Sequence, residues 1–452
     1  METTKKWEDM TWQEKREERF KAWLGAKNIK FVNPEAEKLY KQRVTRLIKA
    51  IKMEEPDRVP VMLPTGNFPA YYVGSSYYEM MWDHEKMKNA LIKFMDDMGD
   101  MDMQSTSMIN PGKIAEAMAS KVIKLPGLGL PKESSMHNIV EGEYMKADEY
   151  DRLMMDPSDY YLRVTLPRTM GLFESFAKLP VMRNIQGAQW ISIMNDPDIR
   201  KTFQTLMDLG DEQKKYQAIM GQVMMYALSH GYPSFRALIA TGGAGGAPFD
   251  HFADLLRGTH GIVMDMYRQP KKLHEAMDHQ LKLTLSAIKN IPVTGGSPVC
   301  FMALHKGDDT FMSNKQFEEF YWPGLRAIFM AMIDEGLVPF PFAEGKYTRR
   351  LKQITDTPKS GVVWWFDQTD MAEAKKYLGN VSCIVGNVPT SIVKTGTVDQ
   401  VKEACRKLIE TCAPGGGYIL AGGASIDKGK MENLKAMQES ASEYGVYKKS
   451  KK

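Results

Sequence analysis

Residues 298–345 read PVCFMALHKGDDTFMSNKQFEEFYWPGLRAIFMAMIDEGLVPFPFAEG, and this stretch decides the fold. A short apolar run, Pro298–Leu304, stops at the polar His305-Lys306-Gly307-Asp308-Asp309. A segment of helical length, Gln316–Asp334, follows it. A second apolar run, Leu337–Phe342, then stops at Glu344-Gly345. Strand, helix and strand in that order predict two parallel strands joined by a covering helix.

The same alternation extends outward from this unit. Downstream runs are Val362–Phe366, Cys383–Val385 and Gly417–Leu420, with a helical stretch at Val398–Thr411 between the last two. Upstream lie Phe235–Ala240, a run near Met101–Gln104, and Arg58–Leu63 after the turn-forming Glu54-Glu55-Pro56-Asp57. About eight such strands favour an α/β protein of the TIM (β/α)8 barrel class over an open doubly wound sheet. No GxGxxG or GxxxxGK[ST] run follows any of them, which argues against a nucleotide cradle. Residues 1–55 read as an N-terminal helical extension, with apolar positions three and four apart in Trp7–Leu24 and Glu35–Ile51. Residues 56–440 form the expected barrel. Within it, 105–230 has the least regular pattern and reads as an insertion capping the barrel mouth. Residues 441–452 form a basic tail ending Lys448-Lys449-Ser450-Lys451-Lys452.

Composition narrows the function classes. Sixty basic residues against 56 acidic ones leave a net charge of +4, too balanced to invoke nucleic acid or an anionic membrane. No run reaches the roughly 18 apolar residues of a membrane span, and the charged N-terminus lacks a signal peptide's apolar stretch, so the expected location is cytoplasmic. Cys300, Cys383, Cys405 and Cys412 contain no CxxC pair and read as buried free thiols. The 34 methionines suit both core filling and an adaptable binding surface.

In a barrel of this class the site lies where strands end and their following loops begin. That rule turns the strand exits into candidates. His305 and Glu344, on neighbouring exits, are a histidine and a carboxylate that could ligate zinc or serve as acid and base, with Asp309 assisting. Glu344 is the first choice as proton donor or metal ligand, with Lys346, Arg349 and Arg350 as its expected charge partners. The glycine-rich Thr241–Pro248 lets backbone approach a bulky ligand, and Phe249, Asp250, His251 and Asp254 follow it. Tyr72, Asp102, Asp367 and Asn387 complete the expected substrate-binding set. Tyr71, Trp364 and Trp365 are further aromatic residues near the predicted mouth.

Several segments carry a resemblance. YKQRVTRLIKAIKMEEPDRVPV, GAGGAPFDHFADLLRG, the run from Asp309 through FMSNKQFEEFYWPGL, FAEG at 342–345, GNVP at 386–389 and GGGYILAGGAS at 415–425 are similar to the uroporphyrinogen decarboxylase superfamily, over roughly 41–430. Two departures bear on what the resemblance implies. Where the decarboxylase carries arginines for its substrate's carboxylates, this chain reads PTGNFPAYYVGSS. Where the zinc methyltransferases of the superfamily carry His-x-Cys and a later Cys, it has Phe342, Glu344 and Ala424. The resemblance therefore implies the corrinoid-dependent branch: a methyltransferase moving a methyl group between a small substrate, such as a methoxylated aromatic, and cobalamin. No DxHxxG run is present, so the cobalamin is expected on a corrinoid protein partner. The superfamily also implies a possible homodimer. The alternatives are a lyase or decarboxylase on a carboxylated or tetrapyrrole substrate, and a non-catalytic corrinoid-binding subunit.

Overall fold

The computed structural model describes residues 5–106, 109–237, 246–291 and 296–448. In chain order its strands are β1 (Val61–Gly66), β2 (Met103–Thr106), β3 (Ile123–Pro126), β4 (Gly129–Leu130), β5 (Asn138–Ile139), β6 (Arg236–Ala237), β7 (Val299–Leu304), β8 (Val338–Ala343), β9 (Val363–Phe366), β10 (Cys383–Val385) and β11 (Tyr418–Ala421). Eight of them form one sheet in the order β2-β1-β11-β10-β9-β8-β7-β6, and every pairing in it is parallel. Each of the eight expected runs supplies one of these strands. The other three make a small separate sheet.

Alternation along the strands sorts side chains to two cores. Val299, Val338, Phe340, Val363, Trp365, Cys383, Val385, Ile419 and Ala421 belong to one cluster. The residues between them, including Cys300, Met302, Leu304, Trp364, Phe366, Ile384 and Leu420, pack in a second cluster with the covering helices. The first cluster is the inside of a curled sheet. Met103 of edge strand β2 and Val299 of β7, far apart in the sheet order, line one gap of about 10 Å³ together with Phe340, Val363 and Ile419.

The N-terminal extension closes one end of that interior. Helices α1 (Trp12–Gly25) and α2 (Pro34–Ile51) bring Trp23, Leu47 and Ile51 to the same gap. Their starts are set locally: Thr11 and Glu14 make a capping box, and Asn33 caps α2 with Pro34 in its first turn.

Asp102 belongs to this closed end and not to the strand exits. It is fully buried just before β2, where Arg46 binds it, Arg58 donates to it at 2.7 Å and the Val61 N–H at 2.8 Å. Its expected role in substrate binding therefore gives way to a structural one. The residue precedes its strand, and the exits lie at the other end.

Residues 105–230 also differ from the irregular cap expected of them. They include a 33-residue helix, Pro197–Ser229, capped by Asp196 and started by Pro197. It packs on the helix His84–Met98, with Tyr226 Oη donating to Asp96 at 2.6 Å. The part around 131–147 reaches the strand exits, through Ser134, Ser135 and Glu141.

Replacing Asp102 with alanine leaves two buried guanidinium groups short of a counter-charge, so Asp102→Ala is expected to destabilise the protein by about 3–5 kcal/mol. Equilibrium urea unfolding measures this. An unchanged midpoint would remove the ion cluster from the account of the closed end.

Candidate functional site

The inward rows of the strands run on past their ends. Val299, Phe301 and Ala303 lead to His305; Val338, Phe340 and Phe342 lead to Glu344; Val363 and Trp365 lead to Asp367; Cys383 and Val385 lead to Asn387. Four polar residues thus gather where the apolar rows stop. Beneath them lies an aromatic layer. Phe342 sits 4.3 Å from Trp365 and Phe301 6.1 Å from Trp365, centroid to centroid. Phe301 and Phe342 are only part-buried, so they form the floor of the mouth.

His305 is held from two sides by one short helix and its continuation, Pro248–Arg257. Asp250 and Asp254, four apart, share a helical face. Asp250 is buried and accepts the backbone N–H groups of His305 at 3.1 Å and Lys306 at 3.0 Å, and the Tyr321 hydroxyl at 2.7 Å. Asp254 takes the side chain, with its Oδ2 2.6 Å from His305 Nδ1. Asp250 fixes the loop and Asp254 fixes the imidazole within it.

The charges continue on either side. Lys306 Nζ lies 3.6 Å from Asp254 and donates to Glu141 at 2.9 Å and to Thr259 Oγ1 at 3.0 Å. His305 Nε2 lies 3.8 Å from Glu344 Oε2. The row Glu141, Lys306, Asp254, His305, Glu344 therefore alternates in sign from the insertion to the centre of the mouth. Its electrostatics follow. The hydrogen bond to Asp254 raises the His305 imidazolium to about 9, with Asp250 and Glu344 adding to the effect against desolvation. Burial pushes the Asp250 carboxyl up to about 6, and the neighbouring Asp254 charge adds to it. Burial pushes His251 down to about 4, and its enclosed Nδ1 has no hydrogen-bond partner. His305 is thus held as a cation, while His251, next to Asp250 in the chain, is held neutral.

Other expected residues take different places. Glu344 meets His305 in place of Lys346, Arg349 or Arg350. Asp309 points away from the mouth and accepts the Arg349 N–H at 3.0 Å, tying the loop after β7 to that after β8. Arg350 is buried and braces the same loop by donating to Gly307 O at 3.2 Å and Asp308 O at 3.0 Å. Tyr72 donates to Asp97 at 2.6 Å on an outer helix. Phe249 is core, packed on Tyr321 and Phe311, and Trp364 faces outward onto Trp322 and Phe329. Asp367 accepts the Gly345 N–H at 3.0 Å, and Asn387 donates to the Asp367 and Thr369 carbonyls at 2.9 and 2.7 Å, so both shape the rim. Of the glycine-rich stretch, 241–245 lie outside the described residues. A side chain at Gly246 would come within 3.0 Å of the Ala303 carbonyl.

A zinc centre does not fit these residues. Among the described residues no three His, Cys, Asp or Glu side chains group as a metal site. His305 has one nitrogen committed to Asp254. All four cysteines are buried, and burial pushes the thiols of Cys383, Cys405 and Cys412 up to about 12. Glu141, Tyr321 and Asp427 are contributors the sequence reading did not name. Asp427 alone left a signal there, as a carboxylate six residues beyond the last strand.

Comparison with known proteins places this geometry in a family. The family model for uroporphyrinogen decarboxylase (URO-D) matches residues 178–444, more than half of the chain. No curated protein matches it significantly. Among solved structures, a methyltransferase from Methanosarcina mazei superposes with a TM-score of 0.55 at 18% identity, covering 88% of this chain and 98% of that one. No helix among the described residues is long and apolar enough to cross a membrane. With its parallel strands, its polar exits and this match over residues 178–444, the chain belongs to the uroporphyrinogen decarboxylase family.

Proposed function

We propose that this protein moves a methyl group from a small methoxylated aromatic donor to a corrinoid carried by a separate partner protein, at the mouth of a (β/α)8 barrel. The single observation that carries the reading is His305. It is a proton donor held charged by Asp254, beside Glu344, above an aromatic floor. Breaking an aryl ether needs a proton for the departing oxygen, and a donor with an acidity near that of a phenol is well matched to it.

A corrinoid brought by the partner would supply a nucleophilic cobalt as the methyl acceptor. The chain's residues do the rest. Phe301 and Phe342 hold the ring of the donor by apolar contact. The carbon–oxygen bond breaks with its pair on oxygen, and the Nε2 proton of His305 passes to that oxygen, leaving a neutral imidazole and a phenol. Glu344, exposed to solvent, relays the replacement proton to Nε2. Asp254 retains Nδ1–H throughout and stabilises the imidazolium. Zinc takes no part. Decarboxylation of a polycarboxylate is not adopted, because His305 and Lys306 are already bound to Asp254 and Glu141.

Two measurements test this. Anaerobic mixing with cob(I)alamin, a corrinoid protein and methoxylated aromatics should bleach the cob(I)alamin absorbance. His305→Gln should lower kcat by roughly 10²-fold or more, as expected on losing a general acid, and Glu344→Gln should lower kcat with KM little changed. No bleaching with any donor would sink the reading.

The second is the titration of His305 by NMR. Its folded value lies above the free one, so its contribution to stability is complete below about 6.5 and is lost as pH rises through about 9. Asp254→Asn should move the titration, and the alkaline limb of the activity profile, down toward that free value. A titration left near 9 in Asp254→Asn would remove Asp254 as the cause.

A further inference from the structure

In the sheet order the wall of the mouth formed by β11 and β1 lies four and five strand positions from β7, which carries His305. It carries polar groups that the proton-transfer scheme does not use. Asn67 follows β1 and is only 6% exposed. Its Nδ2 donates to the Ser135 carbonyl at 2.9 Å, and its backbone N–H donates to Asp427 Oδ1 at 2.9 Å. Its Oδ1 is enclosed and has no partner. A buried acceptor left unmatched carries an uncompensated desolvation penalty, which a ligand's donor would remove.

Asp427 lies beside it in the loop after β11. Gly66 at the end of β1 has a φ of +44°, and any side chain there would collide with the Asp427 carboxylate. The loop also abuts the aromatic floor: Trp365 Nε1 donates to Gly422 O at 2.9 Å, and a side chain at Gly423 would meet Asp367 O at 2.9 Å. The nearby Lys428 is turned onto the face of Tyr71, 4.7 Å from the ring centre. Asp427 accepts from the Asn67 N–H, which leaves most of a carboxylate's acceptor sites open.

We infer that Asn67 and Asp427 form a subsite that recognises a hydrogen-bond donor on the substrate, a hydroxyl or an ammonium N–H, across the mouth from His305. Both groups accept hydrogen bonds, so a carboxylate or an ether oxygen alone cannot satisfy them. The inference rests on the methyl-transfer reading for the site's use, but donor recognition is measurable by binding alone.

Calorimetry on the full chain compares 2-methoxyphenol with 1,2-dimethoxybenzene, and dimethylammonium with tetramethylammonium. The donor-bearing member of at least one pair should bind about tenfold tighter, roughly the worth of one hydrogen bond. The pair that discriminates identifies the donor as hydroxyl or ammonium. Asn67→Leu should abolish the preference. Asp427→Asn, which keeps the shape and an acceptor for the Asn67 N–H, should weaken ammonium binding more than hydroxyl binding. Should Asn67→Leu fail to fold by circular dichroism, Asp427→Asn alone decides. Equal binding within both pairs, no binding by any of the four, or a preference untouched by the variants overturns the inference. Preserved preference without methyl transfer overturns the proposed reaction and leaves the subsite standing, and methyl transfer without preference does the reverse.

Discussion

A strand buried on both faces can carry charge only at its ends. In this sheet one face meets the covering helices and the other meets the interior, so a charged side chain along either would sit uncompensated in an apolar medium. The inward rows of β7, β8 and β9 accordingly stay apolar until the strand stops, and the next inward position is His305, Glu344 or Asp367. The site is where it is because burial forbids it anywhere lower. The closed end obeys the same rule with a different outcome: Asp102 is buried there, and only because Arg46 and Arg58 bind it.

That constraint also governs what the sequence could reveal. A doubly buried strand is a continuous apolar run, which is why the strands from Phe235 onward were legible, and why a polar residue directly after such a run marked His305 and Glu344. Position relative to the run was harder to read at short strands. Asp102 precedes β2 and Tyr72 lies on a helix beyond β1, and neither reaches the mouth. The helix Pro197–Ser229 carried its own signals in Asp196 and Pro197, but its weak amphipathic pattern hid them.

Pairing was the least legible property. Glu344 has cations at 346, 349 and 350 in sequence, yet its neighbour is His305 from the adjacent strand, because parallel register sets those two exits side by side. Asp309 stood close to His305 in sequence but is consumed by the Arg349 backbone. Sequence distance measures neither relation. Glu141 lies 165 residues from Lys306 and binds it at 2.9 Å.

The alternating row from Glu141 to Glu344 ties the insertion to the strand exits. Each member is placed by the opposite charge beside it, so Lys306, drawn between Glu141 and Asp254, helps to set how closely Asp254 approaches His305. The acidity of His305 depends first on that approach. A change at Glu141 therefore reaches the His305 imidazole without touching it, through two ion pairs of which the Lys306–Asp254 pair is the better shielded. This chain has Phe342 in the floor and a carboxylate at 344, so an ion pair stands at these exits and no thiolate does. On the proposed reading the polarising charge is the His305 imidazolium, held by Asp254.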